Sequence, residues 1–340
     1  MTPDPHRSPP IGLLATGSYL PDTVLTNAAL ASRLDTSDEW IRAHLGIRER
    51  RIAVQETTST MATAAARLAL SSLPDPRALD GLILATQTPD KPIPATACIV
   101  QHRLGLQDCF ALDVNAACSG FVYALHLALG LLRGGLARRL LVIGAERMSR
   151  LVNWQDRRTC VIFGDGAGAA LLGTVAPGEP RLADLGVSLL GADGRGEEVI
   201  HVPAGGASLP LTRDNLDLGL QYVHMDGRRV FDFAVAAFVS TIRELARRSD
   251  LAVSDLSHLL PHQANQRIIE QAMEELGLPA DRAVSHLDCY GNTSAASIPI
   301  ALDESARAGR FHTGEHLALV AFGTGLAWGG ALLTWSARHD

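Results

Sequence analysis

The sequence predicts an α/β protein made of two duplicated βαβαβ halves, and three observations carry that expectation. Short, nearly continuous apolar runs alternate with helix-length amphipathic patterns from residue 11 onward, as expected of sheets buried on both faces. The order of these segments, and of the turns between them, repeats once along the chain. With 340 residues, 47% apolar and 19% charged, the chain can bury a large core without covalent staples.

Residues 1–10 read as a loose, proline-rich tail with no secretory signal. Helix patterns follow at Ser37–Leu45, Thr57–Leu73, Ala95–Leu104, Ser119–Arg133, Arg228–Arg248, Ala264–Leu276 and Thr293–Ala308. The first carries a capping box, Thr36 to Glu39, and a terminating Gly46. Strand patterns fall at Gly81–Thr86, Phe110–Val114, Leu140–Gly144, Cys160–Phe163, Leu259–Pro261, Val284–Leu287, Leu317–Phe322 and Gly330–Trp335. In each half a strand leads to a helix ending in Gly-Leu, at Gly105 and at Gly277. A strand, a turn of small residues (AACSG, then GNTSAAS), a helix and a strand ending in glycine come next. The terminal glycine lies 39 residues on in the first half (Gly144) and 46 in the second (Gly323). The seam is placed near 176–182, giving halves 11–178 and 179–340. The glycines of GDGAGAA (164–170) fail as a dinucleotide motif, since no long helix and no suitable acidic residue follow; they read as a tight strand-to-strand connection.

Net charge is −6 with no basic face, which argues against nucleic acid as a partner. Five cysteines without Cys-x-x-Cys spacing suit free thiols in a reducing compartment, and cytoplasmic location is expected. The uncharged stretches 114–132 and 317–337 contain polar residues or four glycines and read as buried elements, not membrane spans. The histidines other than His262 show no metal-ligand spacing, so no metal is expected. No cofactor is expected either.

One cysteine differs from the rest. Cys118 follows a strand, opens a helix and is flanked by Ala116, Ala117, Ser119 and Gly120. A helix N-terminus favours thiolate, and small neighbours let a substrate reach backbone N–H groups. Cys98, Cys109, Cys160 and Cys289 read as packing residues. His262 follows a strand just before a helix, where sites of α/β proteins gather. Asn292 occupies the second-half turn that mirrors the Cys118 turn. Taken singly, His262 could cap a helix and Asn292 could serve a turn with Gly291. Jointly, a thiol, an imidazole and an amide without a carboxylate suit acyl transfer through an oxyanion better than hydrolysis.

DTSDEWI, GIRER, DVNAACSGF, FGDGAGAA, PHQANQRII, GNTSAASIP and AFGTGLAWG occur in this order over about residues 11–335. In these motifs the chain resembles the 3-oxoacyl-acyl carrier protein synthases III, thiolase-like condensing enzymes. The resemblance implies a five-layered αβαβα fold and a homodimer. It implies that Cys118 takes an acyl group from acyl-CoA, while His262 and Asn292 stabilise the enolate left when malonyl-acyl carrier protein loses carbon dioxide. The backbone N–H groups of Cys118 and Thr324 would form a second oxyanion hole; the family usually has glycine where Thr324 stands. Trp40 and Arg157 would hold the adenine of coenzyme A, and Gly227, Asn265 and Phe322 its pantetheine. His44 occupies a position where some members have arginine. Arg267 would dock the acyl carrier protein, although Glu274 and Glu275 replace a lysine pair of some members; Arg228 or Arg229 could serve instead. Ile93, in the stiff segment TPDKPIPATA, would cap the acyl pocket of a second subunit. Being smaller than the phenylalanine of acetyl-preferring members, it implies room for longer primers. The reaction implied is the first condensation of fatty-acid synthesis. A specialised-pathway acyltransferase or priming ketosynthase, and a silent partner subunit, remain as alternatives.

Overall fold

The computed structural model describes residues 10–336 except 72, 74–77 and 177, so residues 1–9 of the expected tail lie outside it. The first half runs β1 (Ile11–Tyr19), β2 (Val24–Thr26), α1 (Asn27–Ala31), α2 (Asp38–Leu45), β3 (Glu49–Arg51), α3 (Thr58–Leu70), β4 (Gly81–Ala85), α4 (Thr96–Arg103), β5 (Phe110–Val114), α5 (Gly120–Arg133), β6 (Arg139–Arg147) and β7 (Asp165–Thr174). The second runs β8 (Ala183–Ala192), β9 (Ile200–His201), β10 (His224–Met225), α6 (Gly227–Arg248), β11 (Leu256–Pro261), α7 (Gln266–Leu276), α8 (Leu287–Tyr290), α9 (Ser297–Arg307), β12 (His316–Gly323) and β13 (Ala327–Trp335).

The main sheet is ordered β11-β12-β13-β8-β1-β7-β6-β4-β5. Outward from its centre, one side reads β1-β7-β6-β4-β5 and the other β8-β13-β12-β11, with matching strand directions. A parallel bridge from Leu259 to Ala283 adds the vestige of a fifth strand to the second side. The two sides join through two residue pairs of β1 and β8. Helices α5 and α9 pack between them, α3 and α4 cover the outer face of the first and α6 and α7 that of the second. Three apolar cores fill the spaces between these five layers.

Helix α5 explains most of the uncharged stretch 114–132: it lies in the central layer with most of its apolar residues buried, while Leu127 stays exposed. Among the described residues no helix is long and apolar enough to cross a membrane.

Several elements differ from the expectation. GDGAGAA forms the start of β7 itself, not a connection. Its glycines admit α9: a Cβ on Gly168 would lie 2.7 Å from backbone and side-chain atoms of Pro299 and Ile300. Cys160–Phe163 is a turn with one bridge, Phe163 to Asn292, instead of a strand. Val284–Leu287 forms no strand: it gives the Val284 N–H to Leu259 carbonyl bond and side-chain bonds to Gln263 before α8 begins. Strands β1 and β8 were not foreseen. The N-cap of α2 is Ser37, whose Oγ accepts from the Trp40 N–H, one residue beyond the expected Thr36.

Candidate active site

Cys118, His262 and Asn292 come together at one cleft of about 870 Å³, its open mouth included. Gly227, Asn265 and Phe322 line the same cleft, as do Arg158 and Phe231. Each arrives from a different element. Cys118 sits in a short 3-10 turn, Ala117–Ser119, between β5 and α5. His262 follows β11, its N–H donating to the Val320 carbonyl at 2.8 Å. Asn292 is held to the 160–164 segment by Asn292 N–H to Ile162 carbonyl (2.9 Å) and Gly164 N–H to Asn292 carbonyl (3.0 Å).

The two small-residue turns are internal copies. Asn115 Oδ1 accepts from the Ala117 N–H (3.2 Å), and Asn292 Oδ1 accepts from the Ser294 N–H (2.8 Å). Ala117 and Ser294 both hold positive φ, 46° and 50°, strained for residues with a Cβ. Asn292 therefore mirrors Asn115, while Cys118 mirrors Ala295. Each turn also lies against a glycine of the other half. A Cβ on Gly323 would lie 2.8 Å from the Cys118 Cβ, and one on Gly144 only 2.2 Å from the Ala295 carbonyl oxygen.

The Asn292 side chain has its carbonyl engaged by Ser294, which leaves its NH2 as donor. His262 is 2% exposed, and its Nδ1 has no hydrogen-bond partner. Burial drives its pKa down to about 3, against a smaller opposing pull from the Ser294 backbone, so the imidazole is neutral. It packs edge-on against Phe322 at 5.5 Å. Two neutral donor groups thus face the cleft.

The thiol differs from expectation. Cys118 is 7% exposed, and burial pushes its pKa up to about 12; the nearby Glu146 raises it further, while a side-chain contact with Ser294 lowers it. In the resting protein, desolvation outweighs the pull of the helix N-terminus that the sequence suggested. Ser294 and Glu146 are neighbours that sequence reasoning missed. Ser294 Oγ donates to Glu146 Oε1 at 3.1 Å and accepts from Gln87 Nε2 at 2.9 Å.

Asn265 caps α7, its Oδ1 accepting from the Arg267 N–H at 2.9 Å, which leaves its amide NH2 to donate. A Cβ on Gly227 would meet nothing within 4 Å, so glycine there keeps free space in the cleft. Trp40 and Arg157 are outside the cleft lining. Trp40 is 40% exposed, Arg157 lies 6.0 Å from its ring centroid, and His44 stacks on it at 4.5 Å. Thr324 lies in the half-buried turn between β12 and β13, directly after Gly323, which lines the cleft. Arg267 is exposed in an open groove that it shares with Glu274 and Glu275. Ile93 is 85% exposed and not among the cleft residues. Among the described residues no cluster of His, Cys, Asp or Glu could hold a metal ion, and all five cysteines are free.

Two duplicated halves with a buried thiol, an imidazole and an amide at their junction define a thiolase-like condensing enzyme. The family profiles 3-Oxoacyl-[acyl-carrier-protein (ACP)] synthase III and its C-terminal counterpart match residues 112–194 and 246–335. The beta-ketoacyl-[acyl-carrier-protein] synthase III of Caldanaerobacter subterraneus subsp. tengcongensis is 47% identical, with 96% of this chain and 98% of that protein covered. The crystal structure of 3-oxoacyl-[acyl-carrier-protein] synthase III from Aquifex aeolicus VF5 is 42% identical, with a TM-score of 0.87 and coverage of 96% and 100%. The priming beta-ketosynthase of the R1128 polyketide pathway is 35% identical, also with a TM-score of 0.87, covering 98% and 100%. The chain belongs to the beta-ketoacyl-[acyl-carrier-protein] synthase III family.

Proposed function

We propose that the protein condenses an acyl-CoA primer with malonyl-acyl carrier protein, releasing carbon dioxide and giving 3-oxoacyl-acyl carrier protein. The reaction starts fatty-acid synthesis. Membership of the family supports this reading. The observation that carries it is a thiol opposite two neutral donors in one cleft, with no carboxylate at the cleft surface to activate water.

The half 11–178 supplies the nucleophile and 179–340 the donors. Cys118 Sγ attacks the primer thioester, CoA leaves as thiolate, and the backbone N–H groups of Cys118 and Thr324 receive the oxyanion. Malonyl thioester then loses carbon dioxide. His262 and the Asn292 NH2 hydrogen-bond the enolate oxygen, which lowers the carbanion's energy without protonating its carbon. The carbanion attacks the acyl-Cys118 carbonyl and the Cys118 thiol is regenerated.

Asn265, Gly227 and Phe322 guide pantetheine, while Trp40 and Arg157 take the adenine at the mouth. The enzyme acts as a cytoplasmic homodimer in which Ile93 reaches the partner's acyl pocket, and Arg267 meets the carrier. No cofactor takes part beyond the two thioester substrates. The test is a stoichiometry. With acyl-CoA and malonyl-acyl carrier protein, one carbon dioxide per 3-oxoacyl product is expected. Acyl transfer to an alcohol or amine without carbon dioxide release would overturn the reading.

A further inference from the structure

We infer that Ser294 and Glu146 act as a proton store for Cys118, taking the thiol proton when the enzyme is acylated and returning it when the product leaves. The inference rests on the proposed acylation of Cys118.

The geometry is a chain of three groups. The turn bearing Cys118 packs directly on the turn bearing Ser294, which sets the Ser294 hydroxyl beside the thiol turn. Ser294 Oγ has one hydrogen to donate and two lone pairs. The hydrogen goes to Glu146 Oε1 (3.1 Å) and one lone pair takes Gln87 Nε2 (2.9 Å), which leaves the second lone pair free to take a proton. Glu146 is fully buried on β6 yet well provided with donors: Thr88 Oγ1 (2.5 Å), Thr86 Oγ1 (3.3 Å) and the Gln87 N–H (3.2 Å), besides Ser294. These donors favour its charge while burial opposes it, and the balance sets its pKa at about 7. Glu146 is thus a proton acceptor held by a donor network one hydroxyl away from the thiol turn, and His262 is too weakly basic to take the thiol's proton.

The groups facing Glu146 from the segment after β4, the turn before α9 and strand β7 are Thr86, Gln87, Thr88, Ser294 and Gly166, none of them titratable. The nearby charges Arg147 and Asp165 are engaged elsewhere, Arg147 on the Ala53 and Val54 carbonyls and Asp165 on Ser149 and the Ala53 N–H. Cys118 is the ionisable group that feels the Glu146 charge.

The steps balance. On attack the Sγ–H proton passes to Ser294 Oγ as the Ser294 proton passes to Glu146 Oε1; the new bond is Sγ–C, the broken bond is C–S of CoA, and the CoA thiolate takes a proton from water. When the condensation adduct collapses, the C–Sγ bond breaks, Cys118 leaves as thiolate and the same two protons return. Ser294 stands between the thiol turn and Glu146, and Glu146 acts through it.

The test is the pH profile of single-turnover acylation, followed by quenched mass measurement of the acyl group mapped to Cys118. For the parent, the rate constant is expected to rise about tenfold per pH unit up to about 7 and then level. Glu146→Gln and Ser294→Ala should each acylate 10²-fold or more slowly at pH 8. Both should lack the step near pH 7, whereas Glu146→Asp should retain a step. A purely structural loss would lower the rate at every pH and keep the step. A retained step in Glu146→Gln or Ser294→Ala overturns the inference, as does a flat parental profile from pH 6 to 8, which needs no variant. Absence of any acyl-Cys118 in the parent overturns the proposed acylation itself, a separate and recognisable failure.

Discussion

Gly323 shows how closely the nucleophile is fitted. A methyl group there would stand 2.8 Å from the Cys118 Cβ and 3.1 Å from its nitrogen. Gly323→Ala should therefore displace the thiol turn, with overpacking costing about 1–3 kcal/mol in denaturant unfolding. Acylation should fall at least tenfold, and a variant with parental stability and rate would show that the turn yields freely. The donor pair allows a different dissection. His262→Ala or Asn292→Ala should still accept an acyl group but lose malonyl decarboxylation by about two to three orders of magnitude. Parental decarboxylation in both would remove them from the enolate site. Cys118 and His262 were legible because each is a chemically unusual residue after an apolar strand, and Asn292 because its small-residue turn repeats the one that bears Cys118. Glu146 was not: in GAERMSR it reads as an ordinary strand-end charge. Only the packing of the Ser294 turn from the other half, 148 residues away, makes it buried and coupled.

At the level of elements, the proposed recognition roles fall on helix α7 and the 88–94 segment. Arg267 lies in the first turn of α7, and Glu274 and Glu275 lie along the same groove. Arg267→Glu should raise KM for malonyl-acyl carrier protein while leaving acylation by acyl-CoA nearly unchanged. Glu274→Lys combined with Glu275→Lys should lower that KM at low salt. An unchanged KM throughout would exclude this helix as the docking face. Ile93 is not among the cleft residues, and its proposed place in a partner's acyl pocket makes a prediction: Ile93→Phe should selectively suppress longer primers. Each methylene lost from burial weakens binding by about 0.8 kcal/mol. Equal effects on acetyl- and octanoyl-CoA would remove Ile93 from the pocket. Element type was readable wherever helical periodicity was strong, as in α6 and α7. The glycine-rich start of β7 was read as a connection because Gly and Ala disfavour strands locally, and tertiary packing against α9 overrides that preference.

Across the whole molecule, duplication explains both the fold and the placement of the site. The same turn is built twice, and the reactive groups were then divided between the copies: a thiol in one, an amide in the other. The order of turns made this legible, whereas the exact correspondence of Asn292 with Asn115 needed hydrogen bonds and backbone angles. Burying these groups has a cost in pH dependence. His262, held neutral with its pKa at about 3, takes up a proton more readily when unfolded. Its contribution is present above about pH 6.5 and is lost as pH falls toward 3. Two pH units within that window correspond to about 3 kcal/mol. His262→Ala should therefore flatten the loss of unfolding free energy between pH 6.5 and 4.5, and identical slopes would contradict the assignment. The central claim, that Cys118 is the nucleophile, is tested most directly by exposing the protein to an acyl-CoA and mapping the adduct by peptide mass spectrometry. The account predicts one acyl group, on Cys118, absent from Cys118→Ala. An acyl group on Cys98, Cys109, Cys160 or Cys289 with Cys118 free would contradict it.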